Sequence, residues 1–302
     1  METVGLVGVG KIGLPIAVNL MKSGYRVLGF RRSAMTEFEK AGGIPARSPA
    51  EVAAQADVVF SCLPSSEALQ EVVQGPNGLI HAARPGQIMV ELGSHPVPIK
   101  QSHVAPLAAK GVSFLDGEVS GTPGMVSERK AVIYLAGDAD AAKKVERVVK
   151  GFADLSLYFG AFGAASRVKL INNHLVALNI AATAEAMALG LKAGVDVDLM
   201  IKAIASGSGG STQFGIRAPW MAQRRFLPPQ GTAPLLLHYF DLIGDMADTL
   251  GVATPLLDRA LELYHRCIDM GLGDSDVAVM VDVIASLPRS QAGKTKNKGD
   301  VQ

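Results

Sequence analysis

Residues 162–194 read FGAASRVKLINNHLVALNIAATAEAMALGLKAG. The run follows Gly160, holds no proline, is rich in Ala, Leu and Met, and ends on Gly194. It therefore predicts one long helix closed by a residue that tolerates a left-handed turn. At 1.5 Å per residue, roughly 30 residues would span about 45 Å, enough to leave one domain and form the spine of another. The helix is apolar nearly all the way round, which predicts burial on several sides. Its polar exceptions gather at the start. Lys169, Asn172 and Asn173 stand at i, i+3 and i+4 and share one face. Two readings are open for them: Lys169 snorkels from a partly buried helix while the asparagines bond locally, or an amine that handles a proton sits beside an amide that orients its substrate.

At the amino terminus, residues 3–9 read TVGLVGV, a short buried strand, and Lys11 and Ile12 lie in the turn that leads to a helix over 14–23. Gly8, Gly10 and Gly13 form G-x-G-x-x-G between that strand and that helix. The spacing suits a dinucleotide: a tight turn, a close approach of backbone to pyrophosphate, and close packing of helix on strand. Gly8, Val9, Gly10, Lys11, Ile12 and Gly13 are thus candidate cofactor contacts, with the phosphates at the positive end of the helix. A second strand, 26–30, ends on Phe30-Arg31-Arg32-Ser33, without the acid that would hold an NAD ribose. Two guanidinium groups suit a 2′-phosphate, so Arg31 and Arg32 favour NADP, with NAD possible.

Further strands are predicted at 56–62, 87–92, 112–115, 131–136 and 155–159, with helices between them. Alternation of this kind gives an α/β, Rossmann-type, doubly wound and mostly parallel sheet. Ligand groups then lie at the carboxyl ends of strands, which places Leu63, Pro64 and Ser94 beside the nicotinamide half of the groove. Residues 116–124, DGEVSGTPG, read as a turn-rich loop at such an end, where a serine hydroxyl and exposed amides can hold a carboxylate. Beyond residue 162 strand patterning gives way to helices, so domains are expected at 1–161 and 162–290, the second all-α and reached through the long connecting helix, with a frayed tail at 291–302. Within the helical half, the serine and glycine segment 206–211 either holds a substrate carboxylate or joins helices.

Composition narrows the partners. With 302 residues, 48% hydrophobic and 19% charged, the chain can bury the cores of two ordinary domains. A formal charge of +1 gives no reason to expect nucleic acid. Outside the long helix no run reaches the length of a membrane span, and that helix carries Arg167, Lys169 and Glu185, so a soluble, cytoplasmic protein with no membrane partner is expected. Cys62 and Cys267 are far apart in sequence and suggest no disulfide framework. The histidines lack ligand spacing, and Asp241, Asp245 and Asp248 read as a solvated helix face, so no metal site is expected.

Four motifs in order, GLVGVGKIGLPIAVNL, DGEVSG, GAASRVKLINN and AEAMALGLKAGVDVDLM, together resemble the β-hydroxyacid dehydrogenase family of 3-hydroxyisobutyrate dehydrogenase and tartronate semialdehyde reductase. The resemblance covers about residues 2–287. It implies a Rossmann domain, a long shared helix and an all-helical domain assembled as a homodimer or homotetramer. It implies Lys169 as the catalytic general acid and base, Asn173 as a substrate-orienting amide, and Ser120, Gly121 and Thr122 around a small carboxylate substrate. The reaction implied is NADP-linked interconversion of a 3-hydroxy acid and its semialdehyde, of tartronate, glyoxylate or succinic semialdehyde, or 3-hydroxyisobutyrate type. An oxidative decarboxylase of a sugar acid, an imine reductase and a cofactor-binding regulator without turnover are the alternatives. Phe240 stands where the family commonly has a lysine, and implies a substrate contact that favours an apolar or aromatic substituent. Gly93 likewise stands where a serine is common.

Overall fold

The computed structural model describes residues 2–288; the expected frayed tail at 291–302 lies outside them. The strands are β1 (Thr3–Val7), β2 (Arg26–Phe30), β3 (Ile44–Pro45), β4 (Val58–Ser61), β5 (Ile88–Glu91), β6 (Ser113–Ser120), β7 (Val132–Ala136) and β8 (Leu155–Tyr158). They form one sheet in the order β3-β2-β1-β4-β5-β6-β7-β8, parallel except where β7 runs against β6. The chain winds outward from β1 to β3, then returns to lay β4 on the other side of β1. That reversal opens a crevice at the carboxyl ends of β1 and β4.

Alternate residues of the central strands feed different cores. Val4, Leu6, Phe60, Val90 and Leu115 join one apolar cluster, with Ile16 and Phe152. Val7, Val59, Met89 and Phe114 join another, with Val52 and Leu69. Side chains on a strand alternate between faces, and a sheet covered on both faces reads as a continuous apolar run. This is why VVFS and IMVE show no polar alternation.

Residues 116–120 are strand, not loop: Asp116 to Ser120 pair with Ala136 to Val132 in the antiparallel ladder. The glycine and serine content suggested a turn, but ladder pairing with β7 overrides that local preference. Glu118 is consequently fixed in the sheet rather than carried on a flexible segment.

The chain divides between Asn172 and Asn173 into two compact units. The division falls inside the long helix, Ala164–Ala193, so its opening turns, with Lys169, belong with the sheet. The second unit packs the helices Val197–Ser206, Thr212–Gln223, Ala233–Leu250, Pro255–Asp269 and Met280–Ser286. At its centre Tyr264 is fully buried and donates to the Ala177 carbonyl at 3.1 Å. Asp276, also buried, accepts from Arg217, Gln230, Gly231 and Ala278, which ties three segments together.

The expected burial of the long helix on several sides is not found within the chain. Ile171, Leu175 and Leu189 are exposed at 54%, 55% and 67%, because the helix carries more apolar surface than its own chain covers. By length and composition alone it is long and apolar enough to cross a membrane.

Candidate active site

The glycines of the first turn are required by close contacts. Gly8 has φ +98°, and a Cβ there would run into the Cys62 carbonyl; a Cβ at Gly13 would run into the Gly8 carbonyl. These two glycines let β1, β4 and the helix Gly13–Lys22 close on one another. Gly10 differs: a Cβ there would meet nothing within 4 Å, so its backbone faces open space where a ligand can approach.

That space is a cavity of about 820 Å³ lined by Gly8, Gly10, Lys11, Ile12, Gly13, Arg31, Arg32, Leu63 and Pro64. Val9 is buried, is not among the lining residues, and accepts at its carbonyl from Arg31 Nη1 at 3.3 Å. Arg32 stands 3.8 Å from Glu71, both exposed, a pairing too solvated to hold the guanidinium firmly. The cavity is also lined by Arg47 and Ser48, which sequence reading missed. They lie where β3 gives way to the helix Pro49–Gln55, a short strand-to-helix passage whose strand was not recognised. Three arginines, Arg31, Arg32 and Arg47, thus line the same cavity as the glycine turn.

At the carboxyl ends of β4 and β5 and within β6 the first unit holds a buried polar cluster. Lys100, from the helix Val97–Gln101, donates to Asp116 Oδ1 at 2.9 Å, the Gly117 carbonyl at 3.0 Å, Glu118 Oε1 at 3.1 Å and Ser166 Oγ at 3.1 Å. Burial alone would push this amine toward neutrality, but Glu118, Asp116 and Glu91 outweigh it and hold Lys100 charged, well above the ordinary lysine range. Ser166 extends the cluster through its amide and hydroxyl to Asp116 at 3.0 and 2.6 Å. Glu118 Oε2 accepts from Ser94 Oγ at 2.6 Å.

Lys169, three residues beyond Ser166 on the long helix, is 7% exposed. Burial pulls its amine below the usual lysine range, and the Glu118 charge opposes the shift. Burial in turn pushes the Glu118 carboxyl up, against Lys100, the Ser94 hydroxyl and Lys169, which favour its ionised form. An amine lowered by burial and steadied by one carboxylate can take or give a proton. Nearby Cys62 is a poor nucleophile, since burial pushes its thiol up to about 12.

Glu91 folds back onto its own chain. It accepts from the Gly93 amide at 2.6 Å and from the Ser61 hydroxyl, and lies 3.5 Å from His95 Nε2. A Cβ at Gly93 would stand 2.6 Å from both Glu91 Oε1 and His95 Nε2. The glycine that departs from the common serine therefore makes room for this carboxylate.

Of the remaining candidates, Ser120 closes β6 and Gly121 follows it. Thr122 uses its Oγ1 to accept from the Met125 amide at 3.3 Å, capping the helix Pro123–Ser127. Asn173 is buried one turn beyond Lys169. Phe240 is buried in the second unit with its ring 5.1 Å from that of Tyr264. Among the described residues no group of His, Cys, Asp and Glu is arranged to hold a metal ion.

Residues 3–160 match the family described as the NAD binding domain of 6-phosphogluconate dehydrogenase, and residues 163–284 match that described as the NAD-binding domain of NADP-dependent 3-hydroxyisobutyrate dehydrogenase. L-threonate dehydrogenase of Cupriavidus necator is 29% identical over 95% of this chain and 97% of its own. NAD-dependent L-serine dehydrogenase of Pseudomonas aeruginosa is 28% identical over 93% of this chain and 97% of its own. Among solved structures, 3-hydroxyisobutyrate dehydrogenase of Mycobacterium tuberculosis with L-serine superposes with a TM-score of 0.82 at 25% identity, over 94% of this chain and 99% of that one. The paired domains and these relatives carry one conclusion: the chain belongs to the β-hydroxyacid dehydrogenase family and is a nicotinamide-dependent dehydrogenase acting on hydroxyl groups.

Proposed function

We propose that the protein interconverts a small 3-hydroxy carboxylic acid and its semialdehyde, with NADP preferred over NAD and Lys169 as general acid and base. The observation that carries this reading is Lys169 itself, a buried amine lowered by desolvation and steadied by Glu118. When bound, the nicotinamide accepts or supplies the hydride. In oxidation, neutral Lys169 takes the hydroxyl proton; in reduction, its ammonium returns a proton to the forming alkoxide. Ser120, Gly121 and Thr122 receive the substrate carboxylate, and Asn173 orients the hydroxyl. Relatives named for L-threonate and L-serine, both hydroxy acids, support the substrate class. The arginines at the cavity end support NADP.

Oxidative decarboxylation is the second reading. Residues 170–184 lack a carboxylate, but Glu118 brings one to Lys169. Both of its oxygens are already engaged by Lys100, Ser166 and Ser94, which suits a fixed charge better than a proton carrier. A spectrophotometric screen of hydroxy acids and semialdehydes with NADPH and NADH, with CO₂ trapped in parallel, tests both. Turnover without CO₂ supports the first, and stoichiometric CO₂ reverses the ranking. We further propose that the exposed apolar face of the long helix is covered by another copy of the chain, in a homodimer or homotetramer. Light scattering that gives a monomer at micromolar concentration would refute this.

A further inference from the structure

Glu118 joins the buried cluster to the opening turns of the long helix through Ser166, three residues before Lys169. Its Oε1 accepts from Lys100 Nζ at 3.1 Å and lies 3.2 Å from Ser166 Oγ, while its Oε2 accepts from Ser94 Oγ at 2.6 Å. It is 1% exposed and sits within a paired strand, so it has little freedom to turn. A hydroxyl has one proton, and Ser94 gives its proton to Glu118. Toward any other partner Ser94 can then act only as an acceptor. Other charged or titratable groups of the cluster come from separate elements: Asp116 from β6, Glu91 from β5, His95 after β5, Cys62 after β4, and Lys100 from its short helix. Asp116 is bound by Lys100 and Ser166, and Glu91 by Ser61 and Gly93. Ser166, 3.2 Å from Glu118 Oε1, stands three residues before Lys169 on the same helix face, which brings the Glu118 carboxylate to the side of the helix that carries Lys169.

We propose that Glu118, anchored by Lys100, is a positioning residue of the active site: it fixes Ser94 as a pure hydrogen-bond acceptor and supplies negative charge beside the Lys169 ammonium. The inference rests on Lys169 as the acid and base. Lys100 is necessary because an isolated buried carboxylate would take up a proton and lose its charge; Lys100 at one oxygen and the Ser94 hydroxyl at the other favour the ionised form against the upward push of burial. The arrangement raises the share of Lys169 that is protonated, which favours proton donation and restrains proton removal.

The test reads the Lys169 amine directly, without substrate. Trace acetylation with acetic anhydride across a pH series, followed by mass spectrometry of the Lys169 peptide, reports the neutral fraction. In Glu118→Gln, and in Lys100→Met/Glu118→Gln where no buried cation is left without its partner, labelling near neutral pH is expected to rise about three- to tenfold. The pH profile of turnover should move to lower pH with it. Glu118→Asp keeps the charge on a shorter arm, so it should keep the wild-type labelling profile while losing turnover through Ser94. An unchanged profile in both charge-removing variants overturns the proposal. If one of them does not fold, the other decides, and if neither folds, a Glu118→Asp profile moved to lower pH overturns it. Should Lys169→Ala retain full turnover, the acid and base assignment falls separately, because labelling does not depend on catalysis.

Discussion

Lys100 Nζ lies 2.9 Å from Asp116 Oδ1, and neither side chain has any exposed surface. Two charges removed from water are tolerated only when further hydrogen bonds complete the site. Here Ser166, Glu118 and the Gly117 carbonyl do so. Lys100→Met would leave Asp116 and Glu118 buried without their cation. The expected loss is about 3–5 kcal/mol, measured by urea unfolding. Adding Glu118→Gln should recover part of it, since one stranded charge is removed. The sign with pH follows from the raised amine: the contribution of Lys100 is complete below the ordinary lysine range and fades as pH rises from about 10.4 toward its folded value.

Lys169 carries the opposite sign. Burial lowers its amine, so the folded state is penalised wherever the unfolded chain would hold that amine charged. Lys169→Met should raise Tm near neutral pH and lower turnover by about 10²–10⁴-fold. The gain in Tm should shrink as pH rises toward the ordinary lysine value, because both states are then neutral. A calorimetric series across pH checks this; a variant less stable than wild type at pH 7 would mean that the contacts of the lysine outweigh its desolvation.

How much of this could be read from the chain varies with the physical range of each signal. The glycine turn was legible because Gly8 and Gly13 answer local contacts at fixed spacing. The long helix was legible from the same kind of local pattern. Glu118 was hidden: in DGEVSG it looks like part of a loop, and only the ladder with β7 shows it to be fixed and buried. Lys100 was hidden more deeply, since its partners Asp116, Glu118 and Ser166 lie 16, 18 and 66 residues away, and no periodicity links them. Arg47 was missed with β3, a strand of two residues whose pairing with β2 is its main evidence.

At the cofactor end, Arg31, Arg32 and Arg47 line one cavity. If Arg32 meets a 2′-phosphate, Arg32→Ser should weaken NADPH binding about tenfold, the scale of one charge-assisted hydrogen bond, with little effect on NADH. Arg31→Ser should cost both cofactors, because Arg31 also braces the Val9 carbonyl beside the glycine turn. Fluorescence titration with each cofactor separates the two effects. Equal losses for NADPH and NADH in Arg32→Ser would remove the case for a phosphate contact.

Gly93 offers a test of how the buried cluster is built. A serine there would press its Cβ against Glu91 Oε1 and His95 Nε2, each 2.6 Å away, and near the Leu63 carbonyl at 3.0 Å. Glu91 cannot move aside without giving up the Gly93 amide and the Ser61 hydroxyl. Gly93→Ser should therefore destabilise the first unit by about 1–3 kcal/mol, the usual cost of overpacking. If Glu91 is the obstacle, the same substitution should cost less when made on Glu91→Ala, with a coupling of about 0.5–3 kcal/mol in a double-mutant cycle. Additive costs would instead make His95 and the Leu63 carbonyl the constraint. Leu63 borders the cofactor cavity, so an additive result should be accompanied by weaker NADPH binding in Gly93→Ser, whereas a coupled one should leave that binding near wild type in the double variant.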